Sequence, residues 1–187
     1  VYNPIFIDQA LKVVRCVCYW CGAFLAKDYT VKNEAKRLAE FSAHCKGKAC
    51  PECEGVQPKY SKAGFTIRTT WPPKGDDEVR TERMEKAMLE PFTAKRALLM
   101  LKHMSEGALE ALRFTEKTHP KDFIFQNFPL LPASVRPSVT LGKQIGHDEL
   151  THKSQDIVKV ANQVAAAGAG KPLVELLTSN VWALLYK

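Results

Sequence analysis

Two CxxC pairs constrain this chain more than any other feature: Cys18-Tyr19-Trp20-Cys21-Gly22 and Cys50-Pro51-Glu52-Cys53-Glu54-Gly55. A CxxC turn sets two thiolates on one side of an ion, and a second turn closes a tetrahedron of soft ligands, which is what zinc prefers. Glycine just after a knuckle permits the tight turn, and small residues there let backbone N–H groups reach the sulfurs. The spacing predicts one structural zinc ion held by Cys18, Cys21, Cys50 and Cys53. Four cysteines leave no open position for water, so the site is not catalytic. A redox CxxC belongs with a βαβ pattern that this chain lacks. Six cysteines are present; the other two, Cys16 and Cys45, read as core thiols. Cys45 competes with Cys50 as a ligand, but only Cys50 pairs with Cys53 at CxxC spacing.

Context supports metal over disulfides. No charged segment followed by an apolar stretch opens the chain, so no secretory signal is read, and no run of about 20 apolar residues spans a bilayer. The chain begins Val1-Tyr2-Asn3-Pro4-Ile5-Phe6 without an initiator Met, and reads as the middle of a longer protein. Its 187 residues, 45% hydrophobic, suffice for one sizeable core or two small ones. A net charge of +7 favours a polyanionic partner, nucleic acid being the commonest, though a merely soluble basic protein carries such a charge too. Lys12, Arg15, Lys27, Lys46, Lys48, Lys59, Lys62 and Arg68 form either a positive face or a solvated scatter. The five histidines form no HExxH set, and there is no P-loop, GxSxG or paired-carboxylate motif. Nothing assembles a catalytic centre.

The fold class expected is α+β: a small zinc-stapled module with a short sheet, a helical core, and a projecting antiparallel helical hairpin. Asn33 to Cys45 suits a helix with Leu38 and Phe41 apolar. Phe65 to Thr70 alternates as a strand after a turn at Gly64. Trp71-Pro72-Pro73-Lys74-Gly75 opens a polar loop. Thr93 caps a helix over Ala94 to His103 with Leu98, Leu101 and Met104 inward, and Ser105 caps a second over Glu106 to Leu112 with Leu109 and Leu112 inward. Phe128 to Ser138 carries three prolines, which exclude helix and predict a rigid extended segment. Arg136 on that track presents a guanidinium either to a phosphate or to a carboxylate of the fold. Asp148 starts a helical hairpin with Leu150, Ser154, Ile157, Ala161 and Val164 inward. Its tip is Ala165 to Gly170, Pro172 enters the return helix, and Leu173, Leu177, Val181 and Leu184 face back. The spacing is that of a two-stranded coiled coil, with a first arm of roughly 25 Å.

The order of these pieces resembles one family, the largest subunit of multisubunit DNA-directed RNA polymerases of eukaryotic, archaeal and viral type, in its N-terminal clamp region. Cys16-Val17-Cys18-Tyr19-Trp20-Cys21-Gly22 is similar to the start of the clamp-head zinc module. Cys53-Glu54-Gly55-Val56-Gln57-Pro58-Lys59 is similar to its closing knuckle, with Glu54 inserted where a Cys-Gly pair is usual. Leu130-Leu131-Pro132-Ala133-Ser134-Val135-Arg136-Pro137-Ser138 resembles the family's proline-rich tract. Asp148-Glu149-Leu150-Thr151-His152-Lys153 with Asp156-Ile157 resembles the start of the clamp coiled coil.

The resemblance implies four segments: a zinc-binding clamp-head module over 1–70, a clamp core over 71–138, a lid loop over 139–147 and a coiled-coil hairpin over 148–187. It places Leu141 at the lid's apolar wedge and Lys143 within reach of a phosphate. It implies that the hairpin, Lys171 at its tip, docks an initiation factor or a NusG-type elongation factor. Partners would be the second-largest subunit, DNA and nascent RNA, with no membrane. The reaction of the intact enzyme is nucleotidyl transfer, with its Mg2+ bound beyond Lys187. The location would be the nucleus, or a virion or cytoplasmic viral factory. The competing expectation is a free-standing zinc adaptor with no nucleic-acid role.

Overall fold

A computed structural model describes residues 1–73, 78–142, 144–167 and 171–185. It combines helices with short antiparallel sheets, the α+β class expected. The chain divides into two compact units, one of Phe6–Ile124 and one of Val1–Ile5 with Phe125–Lys187.

In the first unit, α1 (Ile7–Val14) is the central element. Ile7, Ala10, Leu11, Val13 and Val14 are buried, leaving one polar edge. It packs on α2 (Arg37–His44), on β1 (Lys59–Ala63), on α4 (Ala94–Lys102) and on a 3-10 turn at Pro120–Phe123. The helix predicted over Asn33 to Cys45 begins as a 3-10 turn, Glu34–Lys36, with Asn33 Oδ1 accepting from Ala35 N at 3.0 Å. Phe41 is buried as expected. The predicted strand is β2 (Thr66–Thr70), paired with β1 in a hairpin whose turn holds Gly64 at φ +60. Nothing in Lys59-Tyr60-Ser61-Lys62-Ala63 alternates strongly enough to announce β1; pairing with β2 creates it.

After α3 (Glu78–Leu89), both predicted caps are in place. Thr93 Oγ1 accepts from Arg96 N at 3.2 Å, and Ser105 Oγ accepts from Ala108 N at 3.3 Å at the start of α5 (Glu106–Ala111). Leu101, Met104 and Leu112 are buried, but Leu98 and Leu109 are only partly so. Ala97, Met100 and Ala108 take the inner positions instead. The reason is that α4 packs on both α1 and Pro120–Phe123, so its buried face is wider than one i, i+3 stripe.

In the second unit, Val1 and Phe125 exchange two bonds: Phe125 N donates to Val1 O at 2.8 Å, and the Val1 ammonium donates to Phe125 O at 3.0 Å. The proline tract departs from expectation at one point, a 3-10 turn over Ala133–Val135 closed by Val135 N donating to Pro132 O at 3.1 Å. Proline bars the residue before it from helix and removes its own donor. The three residues between Pro132 and Arg136 meet neither bar. The loop expected over 139–147 contains a short hairpin, β3 (Val139–Leu141) with β4 (Gln144–Gly146), Leu141 opposite Gln144 and Gly142 at φ +63.

Two helices follow, α6 (Glu149–Ala167) and α7 (Lys171–Leu185), packed on each other. So short a connection makes them antiparallel neighbours. Asp148 Oδ1 accepts from Glu149 N at 2.8 Å, and its carbonyl accepts from Thr151 N at 2.9 Å. Thr151, Ser154, Ile157 and Val160 are buried on α6, Thr178 and Val181 on α7. Ala161, expected inward, is exposed, and Val160 replaces it. Val160 stands two three-residue steps from Ser154 and buries more apolar surface than alanine would. The tip residues 168–170 lie outside the described residues. Among the described residues no helix is long and apolar enough to cross a membrane.

Candidate metal centre

The first knuckle follows α1 directly. Val17 bridges to Phe24, Cys18 N donates to Ala23 O at 2.8 Å, and Gly22 N donates to Cys18 O at 3.1 Å. That closure puts Gly22 at φ +78. The second knuckle repeats the pattern: Cys50 N donates to Gly55 O at 3.1 Å and Glu54 N to Cys50 O at 2.9 Å. Glu54, in the place equivalent to Gly22, therefore sits at φ +51. A left-handed backbone costs a residue with a Cβ about 1–2 kcal/mol. The extra residue noted in the sequence thus leaves the turn intact at the expense of local strain.

The four sulfurs lie within 4.8 Å of one another. Cys18 Sγ is 3.6 Å from Cys53 Sγ, and Cys21 Sγ is 3.6 Å from Cys50 Sγ. A tetrahedron with zinc–sulfur bonds of about 2.3 Å has edges of about 3.8 Å, so the spacing and the donor chemistry both fit the ion. Cys18 and Cys50 are buried; Cys21 and Cys53 face solvent. Backbone N–H groups turn toward the sulfurs, Trp20 N to Cys18 at 3.3 Å and Glu52 N to Cys50 at 3.4 Å. Burial pushes the Cys18 thiol up, but hydrogen bonds from the backbone of Cys21 and Trp20, together with those from the Cys21 and Cys53 thiols, hold it below its ordinary value. Burial pushes Cys21 up to about 12 and also raises Cys53. Four ionised sulfurs this close are stable together only around a cation.

Gln57 joins the two knuckles. Its Nε2 donates to Cys18 Sγ at 3.2 Å and to Gly55 O at 2.7 Å, while its Oε1 accepts from Tyr19 N at 2.8 Å. Partners of this kind orient metal ligands. Residue-level reasoning missed Gln57; its signal was the Gln-Pro step after the closing knuckle. Lys27 pairs with the Glu52 carboxylate beside the second knuckle.

An aromatic shelf backs the centre. Trp20 Nε1 donates to Val56 O at 2.9 Å, and the ring lies 5.4 Å from that of Trp71. Arg83 of α3 stands over Trp20 at 4.5 Å. Arg96 of α4 covers Tyr19 at 4.7 Å and donates to its carbonyl at 2.9 Å. A Cβ on Gly55 would stand 2.3 Å from Trp20 Cδ1, so only glycine fits there. Through these contacts the knuckles and the helices form one packed body.

The other sequence-derived positions lie in the second unit. Arg136 Nε donates to Leu131 O at 2.8 Å, and among the described residues Arg136 makes no ion pair. Leu141 ends β3 next to the turn; Lys143 lies outside the described residues; Lys171 begins α7.

The family model described as "RNA polymerase Rpb1, domain 1" matches residues 1–185. Over 186 residues the chain is 30% identical to "DNA-directed RNA polymerase II subunit RPB1" of Euplotoides octocarinatus, covering 88% of this chain and 38% of that protein. It is 27% identical over 190 residues to "Probable DNA-directed RNA polymerase II subunit RPB1 homolog" of Invertebrate iridescent virus 6, covering 94% of this chain and 18% of that one. A match at 25% over 145 residues joins it to "DNA-directed RNA polymerase RPB1 homolog" of African swine fever virus, 76% of this chain and 9% of that protein. The chain thus spans well under half the length of these relatives.

Proposed function

The chain belongs to the RNA polymerase Rpb1 domain 1 family, the N-terminal region of the largest subunit, and on that premise we propose that it forms the non-catalytic clamp portion of a DNA-directed RNA polymerase. The observation that carries this is the closed four-cysteine cluster lying inside a family match that runs from residue 1 to residue 185. Residues 1–70 are the zinc-stapled module and 71–138 the clamp core. The ion is Zn2+, held by Cys18, Cys21, Cys50 and Cys53, and it supplies rigidity rather than chemistry. Residues 139–147 act as a lid at the RNA–DNA hybrid, with Leu141 as wedge and Lys143 on a phosphate, while Arg136 contacts a phosphate from the proline tract. Residues 148–187 dock an initiation factor or a NusG-type elongation factor near Lys171. Other polymerase subunits, the second-largest among them, complete the channel. The Mg2+-dependent nucleotidyl transfer happens on residues beyond this chain, in a nucleus or a viral factory.

The test is binding of a labelled RNA–DNA hybrid followed by anisotropy across a salt series. The reading expects sequence-independent binding that weakens linearly on a log–log plot, because phosphate contacts release counterions. Arg136→Ala lowers the affinity and flattens the slope by about one unit. No binding at low salt overturns the reading in favour of an adaptor that meets only proteins.

A further inference from the structure

Gln57 is 5% exposed and uses both ends of its amide on the two knuckles. Its Nε2 reaches Cys18 Sγ at 3.2 Å and Gly55 O at 2.7 Å, and its Oε1 takes the Tyr19 N–H at 2.8 Å. Gly55 O also accepts from Cys50 N at 3.1 Å, so one side chain holds the Cys18 sulfur directly and the Cys50 turn through a shared carbonyl. The Trp20 Nε1 bond to Val56 O, at 2.9 Å, is a second tie. These ties join residues 18–20 to residues 55–57, and none of them uses a metal.

The opposite edge is built differently. Cys21 and Cys53 are exposed, whereas Cys18 is 0% and Cys50 2% exposed. Among the described residues no other side-chain N–H reaches a sulfur of the cluster. An N–H on a thiolate sulfur is a charge-assisted bond, stronger than a neutral one. It favours the charged form, and it makes that sulfur slower to react.

We propose that Gln57 is the positioning residue of the metal centre and makes it two-sided: Cys18 is the fixed ligand, and Cys21 and Cys53 are the ligands that open to solvent when the ion is exchanged. The carboxamide aims the Cys18 sulfur, tethers the Cys50 turn through Gly55 O, and leaves the exposed pair to detach first. This rests on the assignment of zinc to the four cysteines and is independent of the clamp reading.

The probes are Zn2+ and Co2+ added to the reduced full chain. Gln57→Glu keeps the side-chain length and an oxygen for Tyr19 N but loses both N–H donors; Gln57→Met loses the amide. Zinc affinity, measured by chelator competition, is expected to fall about 10–100-fold in each. With cobalt, the variants should keep the ligand-field bands of a tetrahedral site while the sulfur-to-cobalt charge-transfer band moves to lower energy, because a sulfur without its N–H gives up charge more easily. A residue that only filled space would not move that band. The unsubstituted chain supplies a test that needs no variant: zinc is withdrawn with chelator under a pulse of iodoacetamide, and the labelled cysteines are mapped by mass spectrometry. Cys21 and Cys53 should label first and Cys18 last, after Cys50, although Cys50 is buried to nearly the same extent. Labelling that reaches Cys18 before Cys50, or Gln57 variants with the parent's zinc affinity and charge-transfer band, overturns the inference. A parent chain that takes up neither metal overturns the zinc assignment, and the inference with it.

Discussion

Substituting Gly55 by alanine tests how the metal centre is held to the helices. The added Cβ would lie 2.3 Å from Trp20 Cδ1, 3.0 Å from Trp20 Nε1 and 3.2 Å from Cys53 Sγ. The indole is a rigid body anchored at one end by its 2.9 Å bond to Val56 O and covered by Arg83, so it must move as a whole. Overpacking of this kind costs about 1–3 kcal/mol. Loss of the indole hydrogen bond adds about 1 kcal/mol, and loss of the cation–π contact about 0.5–1 kcal/mol. These contacts share one side chain and do not add fully, which leaves about 2–4 kcal/mol. The assay is urea unfolding of the zinc-loaded protein followed by tryptophan fluorescence, with zinc affinity measured by chelator competition. A variant within about 0.5 kcal/mol of the parent, with unchanged emission and zinc affinity, would refute the packing argument.

Other outcomes follow from the same structure. Glu54→Gly relieves the left-handed backbone and raises stability by up to about 1 kcal/mol in urea unfolding; a loss would mean that the side chain's own contacts outweigh the strain. Zinc affinity should rise with pH over about pH 6 to 8. Cys21 and Cys53 are protonated there in the metal-free protein, their values raised, so binding releases protons and weakens as they become plentiful; a flat titration contradicts this. A strong chelator should expose the amides of residues 6–70 to hydrogen exchange while α6 and α7 stay protected, and simultaneous loss would show one cooperative unit. Thr178→Val keeps the shape and removes a hydroxyl that donates to Val174 O, within its own helix, at 2.8 Å. A thermal melt should show the hairpin stabilised by about 0.5–1 kcal/mol, and a destabilised one would assign that hydroxyl a larger role.

The clustering of four cysteines was legible because the chemistry of a knuckle is local. Two CxxC turns can be read without knowing where the chain goes between them, and the structure brings Cys18, Cys21, Cys50 and Cys53 within 4.8 Å. The caps at Thr93 and Ser105 were legible for the same reason. What failed depended on neighbours. Leu98 yields its place to Ala97 and Met100 because two elements flank α4, and Ala161 yields to Val160 because the partner helix decides which residues lie in the seam. Strand β1 exists only through β2. The seam carries more hydroxyl than its apolar periodicity implied: Thr151, Ser154 and Thr178 are buried, with Thr178 0% exposed. Ser154 and Thr178 satisfy themselves by donating to carbonyls four residues back, Ser154 to Leu150 O at 2.7 Å. Gln57 was quoted for the motif it sits in, and its role appears only when both knuckles surround it.

The clamp reading is tested most directly at the β3–β4 hairpin. Ile145, 64% exposed, can carry a photo-crosslinking side chain without disturbing a ligand or a buried contact. In the polymerase assembled on an RNA–DNA scaffold, the account expects crosslinks to the upstream end of the hybrid, to RNA or to template. Crosslinks to protein alone, with the scaffold bound and active, would contradict it.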